Sequence, residues 1–187
     1  MSGKLIVVSG PSGCGKGTVL KRVLSENSNI HYSVSATTRS ARAGEQNGIH
    51  YFFITREEFE EKIRTGGMLE YAEYVGNYYG TPRDTVFEAL EAGKDVILEI
   101  EVKGAKKIRE KCPEAVFVFI KPPSIEELER RLIGRGTERM EVIKKRLQKA
   151  IEEMENESLY DYVVVNDDVD TAASDLAAII RSEKLKR

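Results

Sequence analysis

Leu5-Ile6-Val7-Val8-Ser9-Gly10-Pro11-Ser12-Gly13-Cys14-Gly15-Lys16-Gly17-Thr18 joins an apolar run to a glycine-rich turn and a lysine. The unbroken apolar run Leu5 to Val8 suits a strand buried on both faces, since a half-exposed strand would alternate apolar with polar residues. Glycines follow at once, and beyond Thr18 the residues Val19, Leu20, Val23 and Leu24 recur at helical spacing. Strand, glycine loop and helix in direct succession aim backbone N–H groups and the positive end of a helix at one point, which is how a P-loop cradles phosphate. Lys16 stands where its ammonium can reach the β- and γ-phosphates of a nucleoside triphosphate. The general pattern has Ser or Thr directly after the lysine, whereas this chain has Gly17 there and Thr18 next. The usual hydroxyl ligand is therefore missing, and Mg²⁺ is expected to be held mainly by nucleotide phosphates and water.

Outward from this stretch the chain alternates strand and helix. Between Ser33 and Tyr51 a polar segment with Arg39, Arg42, Gly44 and Gly48 connects two short strands and reads as ligand-facing. Thr55 and Glu58 form a capping box for a short helix ending near Gly66 and Gly67. Met68 to Thr81 reads as a strand pair with its turn at Gly76-Asn77. Pro82 opens a helix that Gly93 can close. Val96 to Glu101 is a strand, with Glu99 and Glu101 on the same side of it. A helix over about 103–111, a strand over 115–120 and a helix capped by Ser124, with Glu127 at the reciprocal position, come next. After a polar turn at Gly134-Arg135-Gly136-Thr137, a charged helix is expected over 138–157, a buried strand over 162–165 and a last helix over 171–182. Such alternation implies an α/β fold with a central parallel sheet covered on both faces.

Composition narrows the functional classes. The 187 residues suffice for one sizeable core, and 41% hydrophobic with 32% charged residues is a globular profile. The 29 Lys and Arg against 31 Asp and Glu give a net charge of -2, which offers no global attraction to a nucleic-acid backbone. No membrane-length apolar run and no signal-peptide pattern is present, so a cytoplasmic protein without membrane partners is expected. Cys14 and Cys112 are too few for a disulfide framework, and with His31 and His50 they complete no metal-ligand spacing.

A phosphate cradle alone does not choose among ATPases, GTPases and small-molecule kinases. Further islands do: Val34-Ser35-Ala36-Thr37-Thr38-Arg39-Ser40-Ala41-Arg42-Ala43-Gly44-Glu45, Gly48-Ile49-His50-Tyr51-Phe52-Phe53, Leu69-Glu70-Tyr71-Ala72, Gly76-Asn77-Tyr78-Tyr79-Gly80-Thr81, Leu98-Glu99-Ile100-Glu101-Val102-Lys103-Gly104 and Arg135-Gly136-Thr137-Glu138. In this order, with Gly10 to Thr18, they resemble the guanylate kinase family over nearly the whole chain.

The resemblance implies a P-loop kinase with a nucleotide-binding core (1–33 and 82–187), a small GMP-binding insertion (34–81) and a mobile lid at about 134–145. It implies reversible, in-line transfer from ATP to GMP with Mg²⁺, without a covalent intermediate. Arg39, Arg42, Tyr51 and Tyr79 would hold the GMP phosphate, while Ser35, Glu70, Thr81 and Glu101 would read guanine. A carboxylate can accept from the N1–H and exocyclic amine of guanine, a donor pair that adenine lacks. ATP would lie on Gly10, Pro11, Ser12, Gly13, Cys14, Gly15, Lys16, Gly17 and Thr18, with Asn166 near its adenine. Lys16, Arg39, Arg131, Arg135 and Arg146 would converge on the transferring phosphoryl group. Glu99 would meet the metal directly or through water; the family often carries aspartates at this station and at that of Glu101, so glutamate lengthens the reach. Another nucleoside-monophosphate kinase and a catalytically silent, guanylate-kinase-like protein-binding module are the competing readings. Use of dGMP, and the choice between monomer and homo-oligomer, are left open by the sequence.

Overall fold

β1 (Leu5–Ser9) is buried along its whole length. Ile6 and Val8 enter one apolar cluster with Val19, Leu20, Val23, Leu176 and Ile180, whereas Leu5 and Val7 enter another with Val86, Leu90, Ile108 and Phe117. The run without polar residues is thus the mark of a strand with helices on both faces. These relations come from a computed structural model that describes residues 3–134 and 139–186.

After β1 come α1 (Lys16–Glu26), β2 (Ile30–Tyr32), β3 (Ala36–Thr37), β4 (Phe52–Phe53), α2 (Arg56–Arg64), β5 (Met68–Tyr74) and β6 (Asn77–Pro82). Then follow α3 (Arg83–Glu91), β7 (Asp95–Glu99), α4 (Val102–Lys111), β8 (Val116–Lys121), α5 (Ile125–Gly134), α6 (Met140–Met154), β9 (Tyr162–Val165) and α7 (Val169–Leu185). The main sheet has the order β2-β7-β1-β8-β9, and each of its strand pairs is parallel. In-register pairing sets Val8 against Glu99, so the loop leaving β1 opens beside the acidic end of β7. Ligands of open α/β sheets bind at this carboxyl edge.

The second sheet, β4-β3-β6-β5, is mixed: β6 runs antiparallel to β3 and β5, and β3 parallel to β4. Phe59 of α2 packs beneath it, stacked on Tyr78 at 5.2 Å between ring centroids. The predicted capping box is formed, with the Thr55 hydroxyl accepting from the Glu58 N–H and the Glu58 carboxylate accepting from the Thr55 N–H.

Several sequence expectations shift. The β5–β6 turn falls at Val75-Gly76, both at positive φ (48° and 73°), because Tyr74 pairs with Asn77 to close the hairpin; this primed-turn geometry matches the strand twist even at the cost of a β-branched residue there. β7 ends at Glu99, and Glu101 is the cap of α4, so the two acids do not share a strand face. β9 is an edge strand with Val163 and Val165 exposed, rather than a buried one. The box expected at Ser124 is half made: its hydroxyl accepts from the Glu127 N–H, while the Glu127 carboxylate is held by Arg130 and Arg131. The charged helix stops at Met154, before a short 3-10 turn at Glu157–Leu159.

Candidate active site

Gly10 to Gly15 leave β1 and wrap the first turn of α1. Two glycines are dictated by close approach. A Cβ on Gly10 would stand 1.9 Å from the Ile120 carbonyl oxygen, and one on Gly15 2.4 Å from the Asn166 side-chain nitrogen, with Gly15 also at φ 89°. Lys16 folds over the loop and donates to the carbonyls of Gly10 (2.7 Å) and Pro11 (3.2 Å). Its ammonium is thereby held at the mouth of the cradle by neutral acceptors that a phosphate oxygen can outbid. Gly17 differs: nothing lies within 4 Å of a Cβ placed there.

The loop is braced from outside. Buried Asn166 donates to the Cys14 carbonyl at 2.7 Å, and Arg131 reaches the same carbonyl at 3.4 Å and that of Asp167 at 3.4 Å. Arg146, from α6, donates to the Ser12 hydroxyl at 2.8 Å. Arg131 and Arg146 therefore both meet the cradle, although they come from different helices. Asn166, the residue expected near adenine, thus contacts the loop backbone, and its Oδ1 is buried without a partner among the described residues. Burial raises the pKa of the Cys14 thiol above its ordinary value against the lowering effect of Lys16, so it is a protonated packing group. Arg135 lies outside the described residues, as does the 135–138 part of the expected lid.

Beside the cradle is a cavity of about 290 Å³. It is lined by Gly10, Ser12 and Lys16 of the loop, by Glu99, Ile100 and Glu101 at the end of β7, by Tyr32, Ser35, His50 and Tyr51, and by Glu153 of α6. Tyr32 donates to the Glu99 carboxylate at 3.0 Å and so fixes the longer glutamate arm. Glu101 is exposed and paired with Lys149 at 3.3 Å. Among the described residues no cluster of three or more His, Cys, Asp or Glu is arranged to hold a metal. A cavity with a lysine facing separate carboxylates suits a metal that arrives on phosphates better than one caged by protein.

The second sheet supplies the far end. Tyr51 and Tyr79 meet edge to face at 6.0 Å, and the Arg39 guanidinium lies over the Tyr51 ring at 5.4 Å. Arg39 is gripped by Glu45 through two hydrogen bonds, 2.7 and 2.9 Å, while Arg42 is exposed. Glu70, on β5, is buried and accepts from the Thr81 hydroxyl at 2.8 Å. Burial pushes its carboxyl above the ordinary value, with the Thr81 hydrogen bond, Lys107 and Lys111 opposing. Its room is made by Gly104, where a Cβ would sit 2.9 Å from Glu70 Oε2.

The structure thus brings Lys16, Ser35, Tyr51, Glu99 and Glu101 around one cavity, and links Arg39 and Tyr79 to it through Tyr51. Glu70 and Thr81 form a separate buried pair. Sequence reasoning missed the contributions of Tyr32, Glu45, Gly104 and Glu153. Only Glu45 carried a local signal, as an acid spaced evenly after Arg39 and Arg42; the others depend on contacts between distant segments.

Residues 2–183 match the family model described as guanylate kinase. A guanylate kinase of Carboxydothermus hydrogenoformans is 55% identical over 184 residues, covering 98% of this chain and 90% of the relative. One from Lactococcus lactis subsp. lactis is 59% identical over 181 residues, covering 97% and 88%. The crystal structure of guanylate kinase from Anaplasma phagocytophilum superposes with a TM-score of 0.78 at 39% identity, covering 97% of this chain and 86% of that one.

Proposed function

The chain belongs to the guanylate kinase family and catalyses the ATP-dependent phosphorylation of GMP to GDP, and we propose that the loop Gly10–Thr18 holds ATP while the second sheet holds GMP. The observation that carries this division is the cavity itself, which is lined both by Ser12 and Lys16 of the loop and by Ser35 and Tyr51 next to the second sheet.

In this reading Lys16 exchanges its loop carbonyls for phosphate oxygens and stabilises charge on the transferring group. Arg146 and Arg131 steady the loop and meet the donor phosphates, with Arg135 joining from the lid at about 134–145. Arg39, Arg42, Tyr51 and Tyr79 grip the GMP phosphate, and Arg forks match its oxygens. Glu70, Thr81, Ser35 and Glu101 read guanine. Glu70 is suited to this task because a buried carboxylate gains most from the paired donors of guanine, and AMP would leave it unsatisfied. Asn166 acts at the ATP side by holding the loop backbone in shape beneath the nucleotide.

Mg²⁺ entering with ATP would neutralise charge on the phosphates, with Glu99, oriented by Tyr32, as its protein station through water or directly. Residues 1–33 and 82–187 would then be the nucleotide-binding core and 34–81 the GMP-binding region. The two nucleotides and the free cysteines support a cytoplasmic setting. No described helix is long and apolar enough to cross a membrane.

The test is an acceptor panel of GMP, dGMP, AMP, CMP and UMP with labelled ATP and Mg²⁺. GDP formation with GMP far ahead of AMP is expected. Equal turnover of AMP would overturn the assignment of base reading to the second sheet.

A further inference from the structure

Glu45 has no role in the division of labour above, yet it lies at the centre of the cationic cluster. The chain turns back at Arg42-Ala43-Gly44-Glu45, closed by the Glu45 N–H donating to the Arg42 carbonyl at 3.0 Å, with Gly44 at φ 85° in the position that needs it. This turn carries the Glu45 carboxylate under the Arg42 backbone, whose N–H donates to Oε2 at 2.7 Å. The same carboxylate takes Arg39 end-on, Nη1 to Oε2 at 2.7 Å and Nη2 to Oε1 at 2.9 Å. The other Nη1 hydrogen goes to the Ser40 carbonyl at 2.8 Å.

These contacts spend one edge of the guanidinium and leave the other. Nε–H and the outer Nη2 hydrogen lie side by side on the remaining edge and form the second two-pronged donor that a guanidinium offers to an oxyanion. The Tyr79 hydroxyl also interacts with this guanidinium. Tyr51 and Phe53 lie against Arg39, with its Cζ 5.4 and 5.6 Å from their ring centroids. The ion pair is also sheltered, with side chains only 15% and 19% exposed, unlike the ordinary surface pair that contributes little.

We propose that Glu45 is a positioning residue for the acceptor: it fixes Arg39 end-on so that the side-on edge, together with Tyr79, is presented to the phosphate of the nucleoside monophosphate. This rests on the reading of Arg39 and Tyr79 as phosphate ligands. The carboxylate suits the task because Arg39 and the Arg42 N–H hold its pKa down to about 2, so it remains an anion across the neutral range. It does not compete with the incoming phosphate for the same edge, and it lowers the entropy lost when the long arginine side chain engages the ligand.

The test measures GMP and guanosine binding by calorimetry, and KM and kcat for GMP and ATP, in wild type, Glu45→Gln, Arg39→Lys and Arg39→Ala. Thermal melting keeps folding in view. Glu45→Gln is expected to weaken GMP and raise its KM about tenfold, as for loss of a charge-assisted contact, with guanosine binding and the KM for ATP unchanged. Arg39→Lys, which keeps the ion pair but removes the fork, should lose GMP similarly, and Glu45→Gln should add nothing in the Arg39→Ala background. Tighter GMP binding in Glu45→Gln would show that the carboxylate competes with phosphate and would overturn the proposal. So would equal losses for GMP and guanosine, the mark of a merely structural role. Wild-type behaviour of Glu45→Gln beside a large loss in Arg39→Ala would remove Glu45 alone, whereas unchanged GMP binding in Arg39→Ala would remove the phosphate reading of Arg39 as well.

Discussion

The proposed donor cradle and the proposed acceptor sheet would solve phosphate recognition in opposite ways. At Gly10 to Lys16 the recognising groups are mostly backbone, contributed by one contiguous segment and held by the geometry of β1 and α1; Asn166, Arg131 and Arg146 brace that segment from outside. On the second sheet the groups are side chains drawn from separate segments, and each is oriented by a partner: Arg39 by Glu45, Glu70 by Thr81. Backbone N–H groups recognise any phosphate, and an array of oriented side chains recognises one molecule. On the proposed division the donor side is therefore generic and the acceptor side carries the choice of substrate.

The largest expected effect breaks the generic side. Lys16→Ala should lower kcat/KM by about 10² to 10³, the scale for removing one preorganised donor at a developing charge. Steady-state kinetics with ATP and GMP will measure it, and circular dichroism should be unchanged, since Lys16 only rests on loop carbonyls.

The next effect separates the two sides. Gly104→Ala puts a Cβ 2.9 Å from Glu70 Oε2. It should raise the KM for GMP about tenfold, matching the loss of one charge-assisted contact, and leave the KM for ATP alone. Thermal melting should show no loss of stability beyond that contact, because alanine is the better helix former by about 1 kcal/mol.

A smaller effect sharpens the metal question. Gly17→Ser restores the hydroxyl of the general loop pattern into open space. The variant should fold, retain activity and reach half-maximal rate at a severalfold lower Mg²⁺ concentration, as measured by Mg²⁺ titration at saturating ATP and GMP; an unchanged titration would argue that the position does not face the metal.

The smallest effects are two contributions to stability of opposite sign in pH. Glu45 falls from an ordinary 4.5 to about 2 on folding, chiefly through Arg39, so the unfolded chain binds more protons between those values. Its contribution is present above 4.5 and lost as pH falls towards 2. Glu70 is raised by burial, so the native state binds more protons above 4.5, and its contribution is lost as pH rises through the native value. Denaturant unfolding across pH should show Glu45→Gln flattening the acid limb and Glu70→Gln the limb just above it.

The same contrast explains what was legible in the sequence. The cradle could be read because strand, turn and helix are contiguous, although the close approaches that require Gly10 and Gly15 come from distant Ile120 and Asn166. Strands β1, β7, β8 and β9 followed from apolar runs, whereas β2 carries His31 in its middle and was not read, and no local pattern reveals the edge position of β9. The proposed acceptor residues came from a resemblance in several islands, since no spacing rule joins Glu70 to Thr81 or either to Gly104. Tyr32 against Glu99 and Asn166 against Cys14 were hidden for the same reason: each contact is set by the sheet order, which places β7 beside β2 and β9 beyond β8. The misplaced turn at Val75-Gly76 shows a local rule overridden, because cross-strand pairing up to Tyr74 and Asn77 determined the register.

The central claim is that the acceptor side alone chooses the substrate, with Glu70 reading guanine. The most direct measurement is the ratio of kcat/KM for GMP to that for AMP in wild type and Glu70→Gln, at saturating ATP. This ratio is expected to fall by about ten- to a hundredfold, the worth of leaving a buried carboxylate's paired donors unmatched, while the KM for ATP stays at the wild-type value. An unchanged ratio, or an equal loss on the ATP side, would contradict it.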